Sequence, residues 1–253
     1  MPRNRATPHL EHDHDDASIR HRMAGGGGGH GYLSHGVLGA MDGSITTFTI
    51  VAGAVGGGLA GGVVVILGLA KVVADALSMA VSNYFSARSE VEEVARAWAM
   101  EARHIEQTPE GERAELRQIL LGKGITGQTL DDAVAAVTAD RQAWIDTMIK
   151  EELHLCTETT EPWRAALATF LAFLAVGVVP LLPFLFLKDD PSRAFAISAG
   201  ITALAFVMIG LVRGRALQLP PWRSALETLL TGTAAALVAY GIGAWLRQSQ
   251  GLS

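Results

Sequence analysis

Three stretches of this sequence run without a charged residue for longer than a globular core needs. Ala165–Leu187 covers 23 residues, Ala194–Val212 covers 19 and Thr228–Leu246 covers 19. At about 1.5 Å per residue, each can cross a hydrocarbon core of about 30 Å. A backbone in lipid must satisfy its own N–H and C=O groups, and a single apolar segment does that only as a helix. The expected fold class is therefore an all-α membrane protein. Composition agrees: 49% of the 253 residues are hydrophobic and only 18% are charged, where soluble domains carry about 25% charged.

A fourth apolar region, from about Tyr32 to Phe85, is long enough for two spans. Gly56, Gly57, Gly58, Gly61 and Gly62 mark a turn in its middle. Helix 1 is predicted over roughly 32–55 and helix 2 over roughly 59–86, giving five transmembrane helices. This reading puts Asp42, Lys71 and Asp75 at membrane depth. Pro180 and Pro183 each remove a backbone donor within helix 3, so a kink or break is expected there.

The flanking regions differ in kind. Residues 1–31 read as a disordered tail with four Arg, five His and the tract Gly25–Gly29; nothing there could bury a core. Its His9, His12, His14 and His21, with Asp13, Asp15 and Asp16, could gather metal loosely, although a flexible polar tail is the simpler reading. No signal-peptide apolar region is visible in the tail. Residues 87–163 are densely charged, with apolar positions at helical spacing. They predict a three-helix insert between helices 2 and 3: about 87–107, 110–121 and 129–154, with Ala139 a point where the last could break. Thr108 is the expected N-cap before Pro109, and Thr129 fits a second helix start. The remainder, 164–253, holds helices 3–5.

Lys and Arg divide unevenly between the two sides, sixteen against three. The positive-inside rule then places the N-terminus and the insert in the cytoplasm and the C-terminus outside. The single cysteine, Cys156, excludes a disulfide framework and multi-Cys zinc or Fe–S sites. A net charge of −5 gives no sign of a nucleic-acid partner, and no organic cofactor is indicated. The short chain suits a prokaryotic inner membrane better than a vacuolar one.

Carboxylates within a membrane are costly and usually functional, and Asp42 has no packing rationale. Met79 lies one turn from Asp75 on helix 2. A hard oxygen beside a thioether suits a borderline ion such as Fe(II) better than Mg²⁺ or Ca²⁺, although lipid or core packing also accounts for a methionine there. Lys71 and Asp75 are spaced i, i+4 and can pair on one face. Asp75 could then be a structural partner, a ligand or half of a proton relay.

The insert offers ligand pairs on each of its predicted helices: Glu101 with His104, Glu112 with Glu115, and Met148 with Glu151, Glu152 and His154. Residues three or four apart share a helical face. Any one pair could be a solvated surface, but three on successive helices point to a metal site. Glu101-x-x-His104 and Glu151-x-x-His154 also match the Glu-x-x-His element of di-iron bundles, so a membrane-tethered ferroxidase or a metal sensor is an alternative to transport.

Two longer motifs carry a family resemblance. Ala40-Met41-Asp42-Gly43-Ser44-Ile45-Thr46-Thr47-Phe48 followed by Val51-Ala52-Gly53 resembles the first-helix signature of the vacuolar iron transporter family. Ala74-Asp75-Ala76-Leu77-Ser78-Met79-Ala80 with Asn83-Tyr84 is similar to its second, and Pro180-Leu181-Leu182-Pro183 to its third-helix motif. The resemblance spans about 35–247. It implies a five-helix homodimer, with no enzymatic activity, that exchanges Fe(II) for protons and moves iron out of the cytosol. The path would run beside helix 1 at the dimer interface, lined by Asp42 and Met79. By motif position, Glu101, Glu112, Glu115, Met148 and Glu152 match the metal-collecting set. His104 stands where a glutamate is expected, and Ile149 where some members have another. Gly31, His35 and Asn83 replace residues that are often acidic in the family, and Lys71 is unusual at its place. Fewer carboxylates and an added histidine suit Fe(II), Co(II), Ni(II) or Zn(II) better than Mn(II).

Overall fold

The computed structural model describes residues 28–157, 159–187 and 190–251, and among these every regular element is helical. Residues 1–27 of the N-terminal tail, including its histidines His9, His12, His14 and His21, lie outside the described residues. The helices are α1 (Gly28–Gly56), α2 (Gly61–Gln107), α3 (Pro109–Gly122), α4 (Gln128–Thr138), α5 (Arg141–Glu151), α6 (Pro162–Gly177), α7 (Leu182–Phe186), α8 (Pro191–Ala216) and α9 (Pro221–Ser249). Five helical stretches are long and apolar enough to cross a membrane: Tyr32–Gly56, Gly61–Gln107, Pro162–Phe186, Pro191–Ala216 and Pro221–Ser249.

α1 is the central staff of the bundle and packs against α2, α6, α8 and α9. Glycines make that possible. A Cβ at Gly39 would sit 2.5 Å from the Thr169 carbonyl oxygen, and one at Gly43 would sit 2.7 Å from the Phe173 carbonyl oxygen. On the other end, Gly53 and Gly56 meet Ala239 and Tyr240 of α9, and Gly243 of α9 meets Gly53 in return. Lipid supplies no hydrophobic drive between helices, so this close backbone approach is what holds them together. Apolar residues fill the rest: Val51, Val64, Val72, Phe173, Leu181 and Phe184 form one buried cluster, and Phe48, Ala52, Phe206 and Ala236 another. Large apolar side chains such as Ile66, Leu171, Leu204 and Leu237 point outward, as a lipid-facing surface requires.

The turn between α1 and α2 falls at the glycine tract. Gly58 adopts φ +73° there, a left-handed conformation that a Cβ disfavours. The third span is broken at its prolines: α6 ends at Gly177, Val179–Leu181 forms a 3₁₀ turn, and α7 resumes at Leu182. The Pro180 carbonyl, left without a helical partner, accepts a hydrogen bond from the buried Ser198 hydroxyl of α8 at 2.6 Å.

The region 87–163 departs from expectation at several points. Its first helix is not separate, because α2 continues unbroken through 47 residues to Gln107. The switch from apolar to charged sequence near Ala87 marks a change of surroundings, not a helix end. Residues 88–106 carry eight charged side chains, so the membrane-spanning part of α2 ends near Phe85. Thr108 does precede α3 with Pro109 in its first turn, but its hydroxyl donates back to His104 O of α2 at 3.1 Å and does not cap α3. α4 begins at Gln128 after Gly127, one residue before Thr129. The helix expected over 129–154 does break at Ala139, the point its sequence offered: Ala139 ends one part, Asp140 caps the next by accepting from Gln142 and Ala143 N–H, and the second part ends at Glu151. Trp144, Ile145, Met148 and Ile149 of α5 pack with Ala97, Ala102 and Ile105 of α2 and Leu116 of α3 in a small core.

The glycine contacts make a direct prediction. Replacing Gly43 with Leu forces α1 and α6 apart and should destabilise the bundle by about 1–3 kcal/mol. Gly36, whose Cβ position is open, should accept Ala without loss. Melting of the detergent-solubilised protein, followed by monodisperse recovery, distinguishes the two.

Candidate metal centre and membrane path

Two groups of polar residues stand out, one at membrane depth and one on the charged half of α2. α1 and α2 run antiparallel from the glycine turn. Asp42 lies 14 residues before Gly56 and Asp75 lies 14 after Gly61, so both sit about 21 Å from the turn. They share a depth as well as a face, for Asp75 and Lys71 are the charges nearest Asp42, and the Thr46 hydroxyl is within its hydrogen-bonding reach. Lys71 Nζ contacts Asp75 Oδ1 at 2.5 Å. Gly43 faces inward against Phe173 while Asp42 is exposed on the single chain; the adjacent pair thus serves packing on one side and a carboxylate on the other. Met79 lies one turn further along α2, partly buried against the cluster of Val72, Ala76 and Phe173.

Near the insert end of the spans, Asn83 ties three helices together. Its amide donates to Thr169 Oγ1 of α6 at 2.6 Å and meets His35 Nδ1 of α1 at 2.9 Å. The Thr169 hydroxyl in turn donates to Ala165 O. The two residues read from sequence as separate departures, His35 and Asn83, are therefore partners. Thr169 was not singled out from the sequence, since a lone threonine in an apolar run carries no signal of its own.

The second group gathers on the insert. Donor atoms of Glu101, His104 and Glu112 lie within 4.8 Å of one another, as do those of Glu112, Glu115 and Glu152. Two triads thus share Glu112. Glu101 is 1% exposed and Glu112 is 4% exposed, and each has one carboxylate oxygen with no hydrogen-bond partner. Buried carboxylate oxygens without partners are costly, and a bound cation would satisfy both. His104 Nδ1 lies 3.4 Å from Glu112 Oε1. Burial pushes the Glu112 carboxyl up to about 7, with the neighbouring Glu101 and Glu115 charges adding to it and His104 opposing. Glu152 is raised in the same way, by burial first and then by Glu101 and Glu115.

Not every expected ligand joins. Glu151 Oε2 pairs with Lys123 Nζ at 2.7 Å, because successive residues on a helix point about 100° apart and it is Glu152, exposed, that faces Glu112 and Glu115. His154 is exposed in the turn beyond α5 with φ +54°. Only one of the two Glu-x-x-His pairs therefore reaches the centre. Met148 is fully buried in the apolar core of the insert.

The VIT family model matches residues 33–244. The chain belongs to the VIT family. "Vacuolar iron transporter 1" of Eucalyptus grandis is 34% identical over 209 residues, covering 81% of this chain and 83% of its own. "Vacuolar iron transporter 1" of Oryza sativa subsp. japonica is 31% identical over 242 residues, covering 94% and 92%. "Vacuolar iron transporter 1" of Arabidopsis thaliana is 33% identical over 207 residues, covering 81% and 82%. These VIT relatives are transporters by name rather than enzymes. With its five apolar spans, this VIT-family chain is a multi-pass integral membrane protein.

The raised Glu112 carboxyl predicts a pH dependence. Metal binding needs the carboxylate, so affinity for Co(II) should rise about tenfold from pH 6 to pH 8 as Glu112 ionises. Stability of the metal-free protein should move the other way. A folded-state pKa above the unfolded value of 4.5 gives stability that is present below pH 4.5 and lost as pH rises through about 7. Glu112→Gln should flatten both dependences, read by titration calorimetry and by melting.

Proposed function

We propose that this VIT-family chain is an Fe(II)/H⁺ antiporter that exports iron from the cytosol, either out of the cell or into a storage compartment. The observation that carries the reading is Asp42, a carboxylate at mid-membrane depth, exposed on the single chain and faced by Asp75 and Lys71. An intramembrane acid left uncovered on one chain is too costly to face lipid. A homodimer in which a second copy covers this face gives it a dry, polar interface, and that interface is the path. Asp42 supplies the hard donor and Met79 the soft one. One carboxylate cannot hold a proton and a metal ion together, so Asp42 exchanges the one for the other.

The charge asymmetry supports a cytoplasmic insert, and a capture centre on that side favours export. The insert captures Fe(II) through Glu101, Glu112, Glu115 and Glu152 with His104, while Met148 packs in the apolar core beneath them. The Lys71–Asp75 pair sets the charge of the path opposite Asp42. Mn(II), Co(II), Ni(II) and Zn(II) are secondary cargoes. The names of the relatives favour a vacuolar membrane, and the same sidedness holds for a plasma membrane.

Fe(II) uptake into proteoliposomes loaded with a pH-sensitive dye tests the proposal. Wild type should move iron with protons in the opposite direction, and Asp42→Ala should reduce both to the level of empty liposomes. Normal flux through Asp42→Ala overturns the mechanism. Oxygen consumption with Fe(II) but no flux would turn the insert into a ferroxidase.

A further inference from the structure

The two triads of the insert are unlike in chemistry. Glu112, Glu115 and Glu152 offer oxygen alone, whereas Glu101, His104 and Glu112 offer two carboxylates and an imidazole. Oxygen donors suit hard ions such as Mn(II), and imidazole favours the later first-row ions. The mixed triad is also the more enclosed one. It contains both buried carboxylates, Glu101 and Glu112, each with an oxygen that has no hydrogen-bond partner. His104 stands at its open side with 48% of its side chain exposed and its Nδ1 facing Glu112. A metal entering this triad meets the nitrogen donor at the point where it leaves water.

We infer that His104 is the selectivity residue of the capture centre, which makes the Glu101–His104–Glu112 triad a mixed nitrogen–oxygen site that favours Fe(II), Co(II), Ni(II) and Zn(II) over Mn(II). The inference rests on the reading of the insert as the capturing centre. Replacing the imidazole with a carboxylate makes the triad all-oxygen and adds a negative charge, which strengthens binding of every cation but of Mn(II) most. Replacing it with an amide removes the nitrogen donor without adding charge. Because His104 is half exposed and outside the apolar core, neither change disturbs folding.

The test uses the full-length protein in detergent with Co(II) and Mn(II) as probes, by calorimetry and by the visible absorption of bound Co(II). His104→Glu should narrow the ratio of Co(II) to Mn(II) affinity about tenfold, and His104→Gln should weaken Co(II) more than Mn(II). Both variants should shift the Co(II) bands, as loss of a nitrogen ligand requires. An unchanged ratio and unchanged bands, with metal still bound, overturn the role of His104 alone. If Glu112→Gln also leaves Co(II) binding intact, the capture centre itself is wrong, whatever the flux through Asp42 shows.

Discussion

Close backbone contact along α1 is the constraint on which the molecule depends. In water, burying apolar surface would hold five helices together, but lipid is as apolar as leucine and gives no such drive. Here Gly39 and Gly43 let α1 lie directly on α6, and Gly53 and Gly56 let it lie on α9. These contacts fix the rotation of α1 about its own axis. Once Gly43 is pressed against Phe173, its neighbour Asp42 must leave the packed side. The polar clamp of His35, Asn83 and Thr169 then pins the insert end of α1 to α2 and α6.

The spans were legible because the bilayer imposes one simple requirement, length without charge. Ala165–Leu187 could be read as a helix broken near Pro180, and the structure breaks it there. The true length of α2 could not be read. A helix crossing from lipid into water changes its composition at the boundary while its backbone hydrogen bonds continue, so residues 87–107 resemble a new element. The clamp was hidden for a different reason. His35 and Thr169 are 134 positions apart, and no local pattern relates them.

The insert centre was legible as a list of donors but not as an arrangement. Helical periodicity placed Glu101 with His104 and Glu112 with Glu115. It could not say that Glu112 would be shared by two triads, nor that Glu151 would turn to Lys123 while Glu152 faced Glu112 and Glu115. Those outcomes depend on how α2, α3 and α5 pack around Trp144 and Leu116. The apolar core beneath the centre therefore decides which carboxylates lose water.

The unbroken α2 has a mechanical consequence. Asp75 and Glu101 stand on one rod, 26 residues apart, which is about 39 Å along its axis. From the clamp at Asn83, 18 residues or about 27 Å away, a tilt of about 5° sweeps Glu101 sideways by about 2.4 Å, comparable to a metal–oxygen bond of about 2.0–2.6 Å. The far end of this rod is packed against α3 and α5 through Ala97, Ala102 and Ile105, and its membrane part is held by the clamp at Asn83. Glu101 and His104 therefore share one continuous helical backbone with Met79 and Asp75, so the insert and the membrane path have no hinge between them along α2.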